Sequence, residues 1–432
     1  MEQLRIEPIS KPFDLDFAPP GSKSLTNRAM VLAALSGGTC RLDNALFADD
    51  TRVMIDGLQR LGFAVQADEA GKAITIRGEA GRIPAGEASL FCGNSGTTIR
   101  FLTALCAVGR GRYALDGVPR MRQRPIGPLV AMLRNLAARV QFDAAEGYPP
   151  ISLDSRGLAG GITRYGSELS SQYLSAVLQV APYARSEVHI DLHGEQTSWP
   201  YVAMTTRLMH DFGVTAELER DPATGEPRRV VIPRGIYHRE QLTIEPDASN
   251  ATYFLALAAL HAGSRVTIRN LGRDSLQGDA KFAEVLAEMG AAVEFGRDAI
   301  TVRGTGALAG IDADLAGMPD AAQTLAVAAL FAEGPTTIRG LHTLRVKETD
   351  RLAALQTELT KLGADVDIEG DALHIAPPEK LRVADIDTYD DHRMAMSFAL
   401  AGTKTVGVRI NDPACVNKTY PNFFDDLRKF YV

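Results

Sequence analysis

The stretch that decides the fold is Pro20-Gly21-Ser22-Lys23-Ser24-Leu25-Thr26-Asn27-Arg28. It predicts a turn that leads into a buried helix, because Pro20-Gly21 breaks the preceding segment, Ser22 can cap, and apolar residues follow at helical spacing until Gly37-Gly38. Lys23, Ser24 and Arg28 lie in the first turn, at the helix end whose free N–H groups and dipole attract anions. The stretch therefore predicts a phosphate or carboxylate site.

A nucleotide P-loop is the obvious alternative for such a turn. That motif requires glycine at the positions that Ser22 and Phe17 occupy in this chain. Since both glycines are missing, we do not expect an ATP site here.

The composition is that of an ordinary globular protein, with 432 residues, of which 45% are hydrophobic and 23% charged. A chain of this length exceeds one ordinary core, so two domains are expected. The formal charge of −7 argues against a nucleic-acid-binding surface, and no apolar run is long enough to suggest a membrane partner. The four cysteines and eight histidines show no metal or disulfide spacing. We therefore expect no metal and a reducing, cytoplasmic location.

Helix-start signals like that of Ser22 recur about every 71 to 77 residues. Each precedes a small-residue apolar helix, and each interval also holds short β-branched strands and an amphipathic helix. Because wholly apolar helices belong inside, we predict two similar α/β domains of three repeats, each with three apolar helices at its centre and its sheets outside. The later signals are Gly93-Asn94-Ser95-Gly96-Thr97, Ser170-Ser171-Gln172, Asp247, Asp320 and Asp391-His392-Arg393.

The domain break is predicted between Pro233-Arg234-Gly235 and Glu240. The first domain would span 20–238, and the second would combine 1–19, as an extra strand, with 239–432. A doubly wound dehydrogenase sheet is a weaker alternative, because no Gly-x-Gly-x-x-Gly opens a helix. If the central helices of each domain run parallel, six positive ends, each about half an elementary charge, would attract more than one anion to the space between the domains.

Seven motifs together resemble the 5-enolpyruvylshikimate-3-phosphate synthase family, in order and over essentially the whole chain. The resemblance implies a two-domain inside-out α/β barrel built from six repeated βαβαββ-type units, three per domain. It also implies transfer of the enolpyruvyl group of phosphoenolpyruvate to shikimate 3-phosphate, by a monomer without metal or organic cofactor. The motifs are Pro20-Gly21-Ser22-Lys23-Ser24, Gly93-Asn94-Ser95-Gly96-Thr97, Arg124-Pro125-Ile126-Gly127, Ser170-Ser171-Gln172, Pro319-Asp320-Ala321-Ala322, Arg345-Val346-Lys347-Glu348-Thr349-Asp350-Arg351 and Asp391-His392-Arg393-Met394-Ala395.

Phosphoenolpyruvate carries a carboxylate and a phosphate on three carbons, so its site needs several cations at close quarters. On the segment from Arg345 to Arg351, the i, i+4 spacing of Lys347 and Arg351 predicts one helix face, opposite a buried leucine stripe from Leu352 to Leu362. The resemblance implies a phosphoenolpyruvate site of Lys23, Asn94, Gly96, Arg124, Gln172, Arg351, His392, Arg393 and Lys418.

The site for shikimate 3-phosphate is expected mostly on the first domain, where hydroxyls at helix starts suit a phosphate. Two positions depart from the family pattern. Thr343 stands where the family has Asn, and Phe101 replaces a Pro after Arg100, behind Gly96. The implied binding residues are Lys23, Ser24, Arg28, Ser170, Ser171, Gln172, Ser198, Tyr201, Asp320, Thr343 and Lys347.

The reaction needs a base for the 5-hydroxyl and an acid for the methylene carbon. By resemblance, Asp320 is the proton acceptor, placed as a helix cap, and Glu348 is the proton donor. The neighbouring Lys347 favours an ionised Glu348, whereas a donor must be protonated at pH 7. Desolvation of Glu348, or a proton relayed through Lys23, would have to overcome this preference for the ionised form. His392 is a lesser candidate for holding these proton-transfer groups in place.

Two alternatives remain. The transferase that acts on UDP-N-acetylglucosamine shares the fold but typically has a reactive Cys shortly before the Arg-Pro pair, where this chain has Pro119-Arg120-Met121. A non-catalytic phosphate-binding protein of the same architecture would have no reason to keep Asp320 and Glu348 beside five cations.

Overall fold

The computed structural model describes residues 2–166, 169–194 and 196–431. The chain divides into two compact units. The first unit is Gly21–Ile244, and the second combines Met1–Pro20 with Glu245–Val432. None of the described helices is both long and apolar enough to cross a membrane.

Each unit contains six α-helices among the described residues, and short 3₁₀ turns adjoin several of them. The helices are α1 (Lys23–Leu35), α2 (Asp49–Arg60), α3 (Gly96–Val108), α4 (Gly127–Asn135), α5 (Gln172–Val180) and α6 (Trp199–Asp211) in the first unit, and α7 (Ala248–Leu260), α8 (Phe282–Glu288), α9 (Ala322–Ala329), α10 (Arg351–Lys361), α11 (His392–Lys404) and α12 (Phe423–Arg428) in the second.

The strands are short and divide between the same two units. They are β1 (Gln3–Arg5), β2 (Asp14–Phe17), β3 (Thr39–Asp43), β4 (Ala64–Asp68), β5 (Ala73–Arg77), β6 (Glu87–Phe91), β7 (Arg110–Asp116), β8 (Val140–Phe142), β9 (Ile151–Arg156), β10 (Gly161–Tyr165), β11 (Val188–Leu192), β12 (Glu217–Arg220), β13 (Pro227–Ile232), β14 (Gln241–Thr243), β15 (Arg265–Arg269), β16 (Ala292–Phe295), β17 (Ala299–Arg303), β18 (Leu308–Ala309), β19 (Asp312–Asp314), β20 (Ala332–Glu333), β21 (Thr336–Arg339), β22 (Asp365–Glu369), β23 (Ala372–Ala376), β24 (Ala384–Ile386) and β25 (Val408–Asn411).

The sheets of the first unit repeat one pattern three times. Their strand orders are β14-β3-β5-β4, β6-β7-β9-β8 and β10-β11-β13-β12. In each sheet the first pair is parallel and the other two pairs are antiparallel. With their helices the strands of the second and third sheets follow the predicted βαβαββ order, and in the first sheet β14 takes the place of the opening strand.

The second unit repeats this pattern. Two of its sheets, β16-β17-β15-β2 and β19-β21-β23-β22, have the same pairing, and the third, β1-β25-β24, has three strands. A small parallel pair, β18 with β20, is added. The predicted α/β repeat architecture is therefore confirmed.

The apolar helices form the centre of each unit. Helices α1, α3 and α5 pack against one another in the first unit, and α7, α9 and α11 do so in the second. From Leu25 onward α1 is buried, α3, α7 and α9 are buried along their whole length, and α11 is buried as far as Thr403. In the second unit a chain of hydroxyls joins the starts of the three helices, from Thr252 through Thr324 to Ser397. The starts therefore lie together.

Two strand pairings, close to the points where the chain passes from one unit to the other, determine where each unit ends. Strand β2, before α1, pairs with β15 of the second unit, and β14 pairs with β3 of the first unit. Because β14 completes a sheet of the first unit, that unit ends at Ile244, later than the predicted break before Glu240. The predicted division of substrate binding between the domains stays a prediction.

Candidate functional site

In the second unit, the carboxylate of Asp320 contacts three cationic side chains. Asp320 Oδ1 accepts a hydrogen bond from Arg351 Nη1 at 3.0 Å and lies 3.5 Å from Lys347 Nζ. Asp320 Oδ2 accepts a hydrogen bond from Arg393 Nη2 at 2.8 Å. Because Asp320 precedes α9 and Arg393 is in the first turn of α11, the cluster lies at the starts of both helices.

The prediction that Asp320 caps a helix is wrong. Asp320 lies in the 3₁₀ turn Pro319–Ala321, and α9 begins at Ala322 with Ala321 at the cap position. Both oxygens of the carboxylate accept hydrogen bonds from guanidinium groups instead, where donor and acceptor are both charged.

Arg351 is the centre of the cluster and is only 1% exposed. Its Nε and Nη2 donate to the two oxygens of Asp391 at 2.7 and 3.2 Å, and Nη2 also donates to Glu348 Oε2 at 3.0 Å. Burial alone would lower the pKa of Arg351, but the carboxylates of Asp391, Glu348 and Asp320 outweigh burial and raise it. This guanidinium is therefore permanently charged and fixed in place.

The prediction that Lys347 and Arg351 share one helix face is wrong. Helix α10 begins at Arg351 with Asp350 as its cap, and a 3₁₀ turn over His342–Val346 precedes it. Lys347 lies between the two elements, and the two cations meet at Asp320 by tertiary contact. The predicted buried stripe is confirmed: Leu352, Leu355, Leu359 and Leu362 are all buried.

Glu348 lies between two cations. Its side chain is 7% exposed, and Oε1 is 3.8 Å from Lys418 Nζ while Oε2 accepts from Arg351. Lys347, expected to be its charged neighbour, instead contacts Asp320. The ionised carboxylate is thus favoured by Arg351 and Lys418.

Asp391 has two functions in the second unit. It caps α11 by accepting from Arg393 N at 2.9 Å, and it binds Arg351. His392 is buried next to it, with Nδ1 3.8 Å from Asp391 Oδ1. Thr343 is 2% exposed, and its hydroxyl has no hydrogen-bond partner among the described residues.

In the first unit, the predicted start of α1 is confirmed. Ser22 accepts a hydrogen bond from Leu25 N at 3.4 Å, and the helix begins at Lys23. Lys23 Nζ lies 3.1 Å from Asp50 Oδ2, and the two side chains are 14% and 5% exposed. A cation is therefore held at this helix start.

Arg124 is held against the start of α3. Its Nη1 donates to the main-chain oxygen of Asn94 at 2.9 Å and to Asn94 Oδ1 at 3.3 Å. A Cβ at Gly96 would lie 2.7 Å from Arg124 Nη2, so a larger residue there would displace the guanidinium from this position. The structure thus brings Arg124, Asn94 and Gly96 together.

Arg100 contacts a predicted site residue, Gln172, and the sequence reasoning missed it. It donates to Gln172 Oε1 and to Pro125 O, and Gln172 Nε2 donates to Thr97 Oγ1 at 3.2 Å. The starts of α3 and α5 are linked in this way. The available signal was an arginine in an otherwise apolar helix, one turn after Gly96. The contacts of Asp50 with Lys23 and of Asp391 with Arg351 were also not predicted.

Arg28 is buried at 1% exposure, and burial lowers its pKa to about 10. It donates to Thr205 Oγ1 at 2.8 Å, Ser175 Oγ at 3.2 Å and Ser24 O at 3.1 Å, and more weakly to Tyr201 O at 3.5 Å. This brings Ser24, Arg28 and Tyr201 together.

The remaining predicted residues of the first unit lie at the starts of α5 and α6. Ser198 accepts from Tyr201 N at 3.1 Å, and Ser170 Oγ accepts from Gln172 N at 3.3 Å. Ser171, at the cap position of α5, is buried. Phe101, expected behind Gly96, has its ring centroid 5.2 Å from the Arg28 guanidinium.

Within residues 2–166, 169–194 and 196–431, no group of His, Cys, Asp and Glu side chains is arranged to hold a metal ion. The two units thus present cations, hydroxyls and helix starts, together with the carboxylates Asp320 and Glu348. Such an arrangement suits anionic substrates and proton transfer.

Comparisons with known proteins agree with this chemistry. The family model of EPSP synthase (3-phosphoshikimate 1-carboxyvinyltransferase) matches residues 9–427. A 3-phosphoshikimate 1-carboxyvinyltransferase of Shewanella denitrificans is 44% identical over 99% of both chains. The chloroplastic enzyme of that name from Petunia hybrida is 46% identical over 95% of this chain and 82% of its own length. A solved EPSP synthase of Acinetobacter baumannii matches with a TM-score of 0.81 and 25% identity, covering 100% of this chain and 98% of that one. The chain therefore belongs to the EPSP synthase family.

Proposed function

We propose that the predicted residues of the two units bind the two substrates and move the protons of the family's reaction. As a member of the family, the chain transfers the enolpyruvyl group of phosphoenolpyruvate to the 5-hydroxyl of shikimate 3-phosphate and releases phosphate. This transferase step belongs to the shikimate pathway, which leads to chorismate and the aromatic amino acids. The alternative with UDP-N-acetylglucosamine is not favoured, since the full-length relatives are named for 3-phosphoshikimate.

Phosphoenolpyruvate binding is assigned to fixed cations. Arg124 and Arg351 are 4% and 1% exposed and are held by Asn94 and Asp391. Because these groups are ordered before a ligand arrives, little side-chain entropy is lost on binding. The proposed contacts are Lys23, Asn94, Gly96, Arg124 and Gln172 from the first unit, and Arg351, His392, Arg393 and Lys418 from the second.

Shikimate 3-phosphate binding is assigned mainly to hydroxyls and cations of the first unit. Support for Thr343 comes from its buried hydroxyl, which bonds to no described residue and can bond a substrate hydroxyl in place of the family's Asn. Of the five N–H donors of Arg28, four are engaged within the protein, so it chiefly orients Ser24 and Tyr201. The proposed contacts are Lys23, Ser24, Arg28, Ser170, Ser171, Gln172, Ser198 and Tyr201, with Asp320, Thr343 and Lys347 from the second unit.

Asp320 is proposed as the base that takes the proton of the 5-hydroxyl. Its three cationic neighbours stabilise the ionised carboxylate, which is the form that can accept a proton. This convergence of cations on one carboxylate at two helix starts is the observation that carries the proposal.

Glu348 is proposed as the acid that protonates the methylene carbon. It must gain a proton despite Arg351 and Lys418, so loss of one of these contacts on substrate binding, or relay through Lys23, is required. In heavy water, wild-type enzyme should place deuterium into phosphoenolpyruvate during turnover, and Glu348→Gln should suppress this exchange more than it weakens binding. If Glu348→Gln placed deuterium into phosphoenolpyruvate at the wild-type rate, Glu348 would not be the donor and Lys23 would be assigned that role instead.

The activity itself is tested by phosphate release from phosphoenolpyruvate. Release is expected only when shikimate 3-phosphate is also present, and UDP-N-acetylglucosamine should not replace it. Binding of both substrates without any phosphate release would favour a non-catalytic binding protein, and release with UDP-N-acetylglucosamine would favour the other transferase.

We also propose that the protein is a cytoplasmic monomer. Support for the compartment comes from Cys40, Cys92, Cys106 and Cys415, which are all buried free thiols, as is usual in a reducing environment. Light scattering during size-exclusion chromatography should give a mass near 46.5 kDa. A mass of twice that value would contradict the monomer.

A further inference from the structure

The first unit carries a basic cavity at the C-terminal ends of its central helices. The cavity has a volume of about 490 Å³ and is lined by Arg110, Arg156, Arg185 and Arg234, without any lining carboxylate. Val108, the last residue of α3, also lines it. Since α3 rises about 1.5 Å per residue, the cavity lies about 18 Å along the helix from Gly96.

Two of these arginines directly oppose each other in a sheet. Arg110 of β7 and Arg156 of β9 are antiparallel partners in register. Like charges at opposite positions destabilise a sheet, so this pair costs stability unless something binds between or beside the two groups. Arg185 adds a third charge nearby, because its Nη2 donates to Arg156 O at 2.9 Å.

The protein itself does little to neutralise this charge. Across 2–166, 169–194 and 196–431, no ion pair involves Arg110, Arg185 or Arg234. Arg156 contacts Asp154 at 3.5 Å, but both side chains are more than half exposed. An exposed pair of this kind contributes little.

The negative ends of the helices are an alternative reason for arginines here. Three helix ends supply roughly −0.5 each, or about −1.5 in total, whereas four guanidiniums supply about +4. A surplus of about two and a half positive charges is left. The helix ends alone therefore do not explain the cluster.

Main-chain hydrogen bonds tie the segments that carry the arginines. Gly157 N donates to Gly109 O at 2.9 Å, Arg185 N to Leu158 O at 3.0 Å, and Gly235 N to Pro182 O at 3.2 Å. These bonds join the ends of β7 and β9 and the segments that follow α5 and β13. The cavity is thus formed by connected backbone and not by one mobile loop.

The cavity also has an apolar side. Tyr183 lines it and is fixed by a hydrogen bond from its hydroxyl to Leu35 O. Leu158 is buried beside it, and Ile236 is 60% exposed. A ligand with both charge and a carbon skeleton would use both sides.

We propose that this cavity binds a small phosphorylated molecule carrying two or more negative charges. Guanidinium groups bind phosphate oxygens through paired hydrogen bonds, and a phosphate monoester carries about −1.5 to −2 charges at pH 7. The volume lies within the usual range of small-molecule sites, about 300 to 1,000 Å³. The site is independent of the proposed function, since none of its residues belongs to the substrate sites assigned above.

Calorimetric titration with inorganic pyrophosphate at low ionic strength tests the proposal. Arg110→Gln/Arg234→Gln should weaken binding at this site about 30-fold, because two charge-assisted contacts are lost. The matched control is Arg112→Gln/Arg228→Gln, which removes two exposed arginines of the same unit that do not line the cavity. Arg124→Ala separates this site from the proposed phosphoenolpyruvate site.

The expected result is that only the cavity pair loses affinity while the control and Arg124→Ala keep it. Equal loss in the control would overturn the proposal in favour of a general charge effect. Loss only in Arg124→Ala would place pyrophosphate at the substrate site. The cavity pair should melt no lower than wild type, because it relieves the repulsion between Arg110 and Arg156. A second variant, Arg110→Lys/Arg234→Lys, keeps the positive charges, so its affinity for pyrophosphate should fall less than that of the Gln variant. If both variants bound pyrophosphate as tightly as wild type, the proposed site would be overturned.

Discussion

The two units use one architecture but start their central helices with different chemistry. In the first unit, hydroxyls cap α1 and α3, from Ser22 and Ser95. In the second unit, carboxylates cap α7 and α11, from Asp247 and Asp391, and Asp320 lies just before α9. The neutral caps leave the positive helix ends available to external anions, whereas the carboxylates occupy them.

This difference also determines how each unit holds its cations. In the second unit Arg351 and Arg393 are bound by carboxylates, so they are fixed but largely compensated. In the first unit Arg124 and Arg100 also donate to neutral oxygens, those of Asn94 and Pro125. From the hydroxyl caps of the first unit and the carboxylates of the second, we infer that the first unit is suited to binding anions, and the second to holding a proton acceptor and donor.

The largest effect is expected at the proposed base. Asp320→Asn keeps the shape of the side chain but cannot take the hydroxyl proton, so turnover should fall by roughly 10² to 10⁴. Binding of shikimate 3-phosphate should fall much less, as measured by calorimetry. A turnover loss below tenfold would show that the carboxylate of the second unit is not the base.

The free energy of unfolding should fall by different amounts when each unit loses a carboxylate that pairs with a cation. Asp391 and Arg351 are 0% and 1% exposed, and Asp391→Asn would remove one of the three carboxylates that hold the buried guanidinium, costing about 3 kcal/mol. Asp50→Asn removes one contact to Lys23, whose side chain is 14% exposed, and should cost about 1 kcal/mol. Urea unfolding measures both variants. Equal costs would show that the depth of burial does not set how much each ion pair contributes to stability.

The sequence predicted the features that depend on neighbouring residues. The caps Ser22, Ser95, Asp247 and Asp391 were recognisable because a cap and its helix are adjacent in the chain. The six repeats and the buried helices followed from apolar periodicity in the same way.

Contacts between distant segments could not be predicted from spacing. Asp320 was expected to cap, yet Arg393, 73 residues away, helps to draw its carboxylate into an ion cluster. Lys347 and Arg351 were expected on one helix, but a tertiary contact joins them at Asp320. Arg100 was missed because its partner Gln172 is 72 residues away.

Acid should weaken the second unit more than the first. Burial, with a smaller contribution from Lys404, lowers the pKa of His261 from 6.5 to about 4, and its Nε2 lies 3.0 Å from Thr403 Oγ1. The unfolded chain therefore binds a proton that the folded chain does not between these pH values, so stability falls as pH falls from 6.5 to 4. The loss from this group is about 2 to 3 kcal/mol at pH 4.5.

The measurement for His261 is urea unfolding at pH 7 and pH 4.5. His261→Gln should reduce the acid-induced loss, because glutamine does not titrate and can still contact Thr403. His210→Gln, at an exposed histidine of the first unit, is the control and should leave the loss unchanged. The same pH dependence in wild type and His261→Gln would show that the buried imidazole has no part in it.

The smallest effect tests the cap chemistry directly, by placing a carboxylate cap in the first unit. Ser22→Asp should still cap α1, since aspartate and serine cap equally well, and the folded state should be as stable as wild type or slightly more stable. The added charge would partly neutralise Lys23 and the helix end, so affinity for phosphoenolpyruvate and shikimate 3-phosphate should fall about fivefold, or roughly 1 kcal/mol. Ser22→Asn has the same shape without the charge and should bind nearly as wild type. If both variants lose affinity equally in calorimetry, the size of the cap residue and not its charge sets anion binding, and the difference between the two units would need another cause.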